Sequence, residues 1–305
     1  MHMDRRQFVK NLGLGTASLS MGSLVTASSC APSGDSSLKQ NVKEGEDGQF
    51  LFIGDDIAIA QTEYGKVQGY LLNHVYTFLG VPYGADTSGK NRFMPPQKPE
   101  PWTDVRPAVF YGNTAPQRME NRWPNNYGTF ADHWNYWDVS EDCLYLNVWT
   151  PGIADGKKRP VLVWLHGGGF TNGSGIEQDG YHGENISREG DIVFCSINHR
   201  LGPIGFSDLS GVGGEAYKDS GNVGMLDIIA ALRWVHDNIA NFGGDPGNVT
   251  VMGQSGGGSK VCTVAAMPAA KGLIHRAVAL SGSTVGASDP VSYTHLRAHE
   301  TVLDL

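Results

Sequence analysis

Two short apolar runs, Val161-Leu162-Val163-Trp164-Leu165 and Val249-Thr250-Val251-Met252, each run into a glycine cluster, and this repeated pattern restricts the folds open to the chain. Two further runs, Ile192-Val193-Phe194-Cys195-Ser196-Ile197 and Ala277-Val278-Ala279-Leu280, have the same character. Runs this short and apolar on both faces are the pattern of strands buried in a parallel sheet. Leu144-Tyr145-Leu146-Asn147-Val148-Trp149 alternates more and reads as an early, partly antiparallel strand. Between the second and third buried runs, Leu226, Ile229, Leu232, Trp234, Val235 and Ile239 recur at helical spacing, predicting a helix over about 223–241. Phe242-Gly243-Gly244-Asp245-Pro246 ends it, with glycine as the stop and proline just beyond. Alternating strands and helices predict an α/β fold, a mostly parallel sheet with helices on both faces. In such sheets chemistry sits at the carboxyl ends of the strands.

Composition narrows the function. The 305 residues carry a net charge of −8, which argues against a nucleic-acid surface. No GxGxxG opens a helix after a first strand, so a dinucleotide binder is excluded. Cys30, Cys143, Cys195 and Cys262 form no CxxC pair, and no zinc or dithiol site is expected. Cys143, Cys195 and Cys262 read as small buried hydrophobes. His295 and His299 stand at i, i+4 spacing, but no HExxH is present, so no metal is expected.

The first residues read as an address. Asp4-Arg5-Arg6-Gln7-Phe8-Val9-Lys10 resembles a twin-arginine export motif, with Arg5 and Arg6 as the pair. A Gly/Ala/Ser-rich stretch from Leu12 to Ala27 follows, too short and weakly apolar for a stable membrane span. Ala27-Ser28-Ser29-Cys30 resembles a lipoprotein processing site, with Cys30 the lipidation candidate. Simple cleavage releasing a soluble protein is the alternative. Export is expected in either case, to the periplasm or to a membrane-anchored lipoprotein. The expected organisation is an export signal over 1–30, a polar tether over 31–49, the α/β body over 50–288 and a foreign tail over 289–305.

Gly253-Gln254-Ser255-Gly256-Gly257 follows the third buried run directly. A GxSxG pattern alone is a weak signal. Here the strand precedes it and a helix-compatible run, Lys260 to Met267, follows, the context that pushes a serine hydroxyl out of a sheet. Ser255 is therefore the candidate nucleophile. Acyl transfer also needs preorganised donors for an oxyanion. His166-Gly167-Gly168-Gly169-Phe170 follows another buried strand, and only glycines let bare N–H groups converge on one oxygen. An ordinary tight turn explains either cluster alone, and poorly explains two, each at a strand's end.

With these motifs, Glu141-Asp142-Cys143-Leu144-Tyr145-Leu146-Asn147-Val148, Gly80-Val81-Pro82-Tyr83, Arg92-Phe93, Asn198-His199-Arg200-Leu201-Gly202 and Gly221-Asn222-Val223-Gly224 make the chain resemble the type-B carboxylesterases, from about Ile59 to Ser283. The resemblance implies the N-terminal part of an α/β-hydrolase. It implies ester hydrolysis through an acyl-serine intermediate, with a small-molecule ester as substrate and no cofactor. It implies Gly168, Gly169 and Gly256 as oxyanion donors, and His166 as part of the loop rather than the base.

The sequence departs from that family in four respects. Thr114-Ala115-Pro116-Gln117 holds no cysteine to pair with Cys143. Gln254 stands where many members have Glu. The family's acidic residue and catalytic histidine lie far downstream of the serine, and 50 residues follow Ser255 here. Both are expected to be absent from this chain, and a polypeptide made as written is expected to fold poorly and hydrolyse nothing. Val291-Ser292-Tyr293-Thr294-His295-Leu296-Arg297-Ala298-His299-Glu300-Thr301 resembles a foreign tail. The competing readings are a catalytically inactive cholinesterase-like adhesion domain and a lipid-anchored binding module ending at Leu305. His199, His236 and His275 read as structural or surface residues, and Trp102, Trp123, Trp134 and Trp137 as gorge or packing residues.

Overall fold

Residues 51–117 and 138–282 are described by the computed structural model. The chain divides into two units, Met1–Lys43 and Glu44–Leu305, and every described residue belongs to the second. Arg5, Arg6, Cys30, the tether, the tail with His295 and His299, and Trp123, Trp134 and Trp137 lie outside the described residues.

Among the described residues eight strands form one sheet. Their order is β1 (Leu51–Phe52), β4 (Tyr70–Leu72), β5 (Val75–Pro82), β7 (Tyr145–Thr150), β9 (Val193–Ile197), β8 (Arg159–Leu165), β10 (Gly244–Gln254) and β11 (Arg276–Leu280). The four strands from β9 to β11 are parallel throughout, as the four apolar runs require. The run Ala277–Leu280, expected to be buried, is instead exposed along the whole of β11, because β11 is the edge strand among the described residues. Following the pairings across the sheet, only β4 and β7 run against the others. A second, small sheet joins β2 (Ile59–Thr62), β3 (Gly65–Gln68) and β6 (Arg106–Pro107).

Alternation along β8 shows how the sheet is covered. Val161, Val163 and Leu165 are fully buried on one face, where they join Ile228, Leu232, Val235, Val251 and Val261 in the main core. Leu162 and Trp164 point to the other face and pack with Trp149 and Phe194. Two helices cover the first face: α4 (Val223–Asn238) and α5 (Gly256–Ala266). On the second face lies α1 (Glu184–Gly190), anchored where the Ser187 hydroxyl donates to the Trp149 carbonyl at 3.1 Å. Two shorter helices, α2 (Gly202–Phe206) and α3 (Ser210–Gly213), lead from β9 towards α4.

This division of helices follows from chirality. From β8 the chain crosses through α1 to β9 on one side. It then crosses back through α4 to β10 on β8's other side. Right-handed crossovers in opposite directions put their helices on opposite faces. The loops leaving β8 and β10 therefore part in opposite directions and open a crevice at the carboxyl ends of these two neighbours.

The predicted helix over 223–241 forms as α4, with Ile239–Phe242 as a 3-10 turn and Gly243 closing it at φ 77°. Of the expected core positions Ile229, Leu232, Trp234, Val235 and Ile239 are buried, Leu226 is half-buried, and Met225 and Ile228 are buried besides. The buried face is widened by Asp227, a charged residue inside the helix that is fully buried against Arg200. β10 begins at Gly244, earlier than the apolar run, with an irregularity between Gly244 and Val249. Cys143 and Cys195 are buried free thiols, whereas Cys262 is half-buried, on the partly covered side of α5.

Candidate active site

Gly253 pairs with Leu165 across β10 and β8, so the two chains leave the sheet side by side. After β10 the chain turns at Ser255 directly into α5, whose first residue is Gly256, four residues earlier than the predicted helical run. Ser255 has φ 57° and ψ −123°, a conformation that costs a non-glycine residue about 1–3 kcal/mol. Its surroundings hold it there. Its N–H donates to the Leu280 carbonyl at 2.8 Å, and its carbonyl accepts the Ser259 N–H at 3.1 Å. Gly282 packs so closely that a Cβ there would lie 1.8 Å from the Ser255 carbonyl oxygen. Among the described residues the Ser255 hydroxyl has no hydrogen-bond partner.

The glycine loop packs onto the same turn. Gly168 and Gly169 adopt φ 79° and 65°, which leaves both exposed with their N–H groups outside any backbone hydrogen bond among the described residues. A Cβ on Gly256 would lie 2.4 Å from the N, Cα and O of Gly169, so the two backbones touch. The structure thus brings together Ser255, Gly169 and Gly256, with Gly168 next in the chain. Gly256 opens a helix, where N–H groups lack intrahelical acceptors and attract negative charge.

The loop is fastened from behind. Gln117 brackets Gly173: its Nε2 donates to the Gly173 carbonyl at 2.9 Å, and its Oε1 accepts the Gly173 N–H at 2.7 Å. Asn198 accepts the Gly175 N–H at 2.8 Å. His166 is wholly buried, stacked on His199 at 4.9 Å between ring centroids, with its Nδ1 2.9 Å from the Gly167 carbonyl. Burial holds His199 well below the usual histidine pKa, so that ring is neutral. Neither histidine is presented to Ser255. His236 lies exposed on α4 beside Asp237. His275 accepts the Val249 N–H, six residues before Ser255 and so roughly 20 Å away along the strand.

Sequence reasoning missed Gln117, Glu177 and Lys260, all of which stand behind this loop. Glu177 and Lys260 are buried charged residues. Gln117 gave no signal, since its role is a pair of backbone contacts formed over 56 residues of chain. Among the described residues no group of His, Cys, Asp or Glu could hold a metal ion.

Gly257 sets how closely α5 approaches β8, because a Cβ there would lie 2.0 Å from the Leu165 carbonyl oxygen. Gly257→Ala is expected to destabilise the protein by about 2–3 kcal/mol, as overpacking against backbone does. The urea-unfolding midpoint checks this, and an unchanged midpoint would show that the helix has room to move.

A strained serine between strand and helix, beside a glycine loop at the sheet's crevice, defines an α/β-hydrolase. More narrowly, this chain belongs to the carboxylesterase family, whose sequence model matches residues 56–298. The match enters the first part of the 289–305 stretch. The chain is 44% identical over 229 residues to the para-nitrobenzyl esterase of Bacillus subtilis (strain 168), covering 74% of this chain and 44% of that protein. It is 44% identical over 220 residues to the phenmedipham hydrolase of Pseudarthrobacter oxydans, covering 72% and 42%. A solved esterase from Clostridium hathewayi, described as able to hydrolyse aliphatic aromatic polyesters, superposes with a TM-score of 0.70 at 44% identity. That superposition covers 75% of this chain and 44% of the other. The chain therefore spans less than half the length of the curated relatives it matches.

Proposed function

We propose that the protein is a serine carboxylesterase that hydrolyses small carboxylic esters through an acyl-serine intermediate, and that this chain supplies its nucleophile and oxyanion donors. The observation that carries this reading is the strained backbone of Ser255, set where Gly256 touches Gly169. A binding module gains nothing from a serine held at such cost, which argues against an inactive adhesion domain.

The Ser255 hydroxyl attacks the ester carbonyl carbon. A new Oγ–C bond forms, and the carbonyl π electrons move onto oxygen, giving an oxyanion to which the N–H groups of Gly168, Gly169 and Gly256 donate hydrogen bonds. Collapse of that intermediate expels the alcohol with a proton and leaves acyl-serine. Water then attacks the acyl carbon and releases the carboxylic acid. A serine hydroxyl needs a base to take its proton. His166, His199, His236 and His275 are not placed for this, and the family resemblance implies that the base and its acidic partner lie far downstream of Ser255.

The test combines hydrolysis with labelling. The full-length gene product is expected to hydrolyse p-nitrophenyl butyrate. A fluorophosphonate is expected to modify one residue stoichiometrically, found at Ser255 by peptide mass spectrometry. A folded protein that takes up no label at Ser255 overturns the reading.

A further inference from the structure

Lys260 lies on α5, four residues after Gly256 and so on the same face of the helix. It is completely buried. Its Nζ donates to the His166 carbonyl at 3.2 Å and stands 5.7 Å from the centre of the Phe170 ring. His166 and Phe170 are the two ends of the glycine loop. One side chain therefore contacts both ends of the loop, from the helix whose first N–H faces that loop. We propose that Lys260 is a positioning residue for hydrolysis. It ties the glycine loop to the nucleophile's own helix and so fixes the N–H groups of Gly168 and Gly169 relative to Gly256 and Ser255. This rests on the reading of Ser255 as nucleophile.

A fully buried ammonium is expensive, and one hydrogen bond among the described residues does not offset its lost hydration. Stability alone would favour an unbranched apolar side chain at this place. Burial pushes the Lys260 pKa down to about 7, with Glu177 acting the other way. Among the described residues His166 on the loop also contacts it, and its charge acts on His199 after β9, which burial keeps neutral; Arg200, the other charge acting on His199, is matched by Asp227 on α4. The charged form is thus the stronger clamp, through a charge-assisted hydrogen bond and the aromatic face of Phe170, and it is present below about pH 7.

The test compares the full-length wild-type protein with Lys260→Met, using p-nitrophenyl butyrate from pH 6 to 9. In Lys260→Met, kcat is expected to fall by roughly tenfold to a hundredfold, as displaced oxyanion donors would cause. KM is expected to change less than about threefold, since the lost interaction acts in the transition state. The wild-type to variant ratio of kcat is expected to be largest at pH 6 and to shrink as pH rises through 7. The melting temperature is expected to rise. Wild-type stability is penalised while Lys260 is charged, fully below pH 7, and recovers towards the lysine's unfolded pKa, so the rise is largest at pH 6.

A packing role alone predicts a lowered melting temperature and a ratio that does not vary with pH, and that result overturns the proposal. Unaltered kcat in the variant also overturns it. A wild-type protein that hydrolyses no ester overturns the esterase reading and this role together. Lys260→Gln, which keeps a donor and loses the charge, is expected to fall between the two with a weaker pH dependence. It decides the matter if Lys260→Met does not fold.

Discussion

Replacing Ser255 with alanine is expected to lower ester hydrolysis by the full-length protein by roughly 10⁴- to 10⁶-fold, since loss of the nucleophile in a catalytic unit removes nearly all that the unit contributes. The fold is expected to survive, because alanine keeps the backbone hydrogen bonds to Leu280 and Ser259. Ser255→Gly sharpens the test. It abolishes activity equally, but glycine adopts φ 57° without strain. It is therefore expected to be about 1 kcal/mol more stable than Ser255→Ala, once the strain relieved is set against glycine's entropy. Activity and denaturant midpoint are measured on the same two proteins. Equal stability would mean that the elbow is not strained, and residual hydrolysis above about 1% would place the nucleophile elsewhere.

The second large effect concerns stability. Asp227 is wholly buried in α4, and its two carboxylate oxygens accept from Arg200 Nε at 2.8 Å and Nη2 at 2.6 Å. Asp227 also accepts the Arg200 N–H at 3.0 Å, and Arg200 Nη1 donates to the Met94 carbonyl at 2.7 Å. Asp227→Ala leaves a buried guanidinium facing no anion, a loss expected to cost about 3–5 kcal/mol. That is a large part of the total stability of an ordinary domain, about 5–15 kcal/mol. The double replacement Arg200→Met with Asp227→Leu removes both charges and keeps most of the volume. It is expected to recover part of the loss, leaving about 2 kcal/mol for two abandoned groups, the Met94 carbonyl and the Arg200 N–H that Asp227 accepted. Chemical unfolding of the three proteins checks this. A single replacement that costs under about 1 kcal/mol would show that water reaches the pair.

The legible parts of this fold are those written in local patterns. Val161–Leu165 and Val249–Met252 announced buried strands because both faces are apolar, and Gly243 marked the end of α4 because its φ of 77° suits glycine. Ser255, Gly168, Gly169 and Gly256 stood out because bare backbone and sharp turns demand glycine at fixed offsets. The small sheet of β2, β3 and β6 was invisible, since strands of two to four residues carry no period to read. Asp227 was hidden by its own helix: at one position in an apolar pattern, a carboxylate reads as a solvent-facing residue until Arg200 is brought to it from β9's far end. Lys260 likewise shows in the sequence only as part of a helical run. Long-range polar pairs leave no periodic trace, and they make up most of what the sequence concealed.

The tether between Ser255 and Leu280 has a consequence for synthesis. A ribosome delivers β8, β9, β10 and α5 before it delivers β11, and domains assemble as their segments emerge. Until Leu280 is available, the Ser255 amide lacks the acceptor that holds it at 2.8 Å, and the crowding from Gly282 is missing as well. The turn is then free to relax to an ordinary helix entry. The serine becomes sharply presented only when the sheet gains its last described strand, so the nascent chain carries a muted hydroxyl while its apolar surfaces are still being covered.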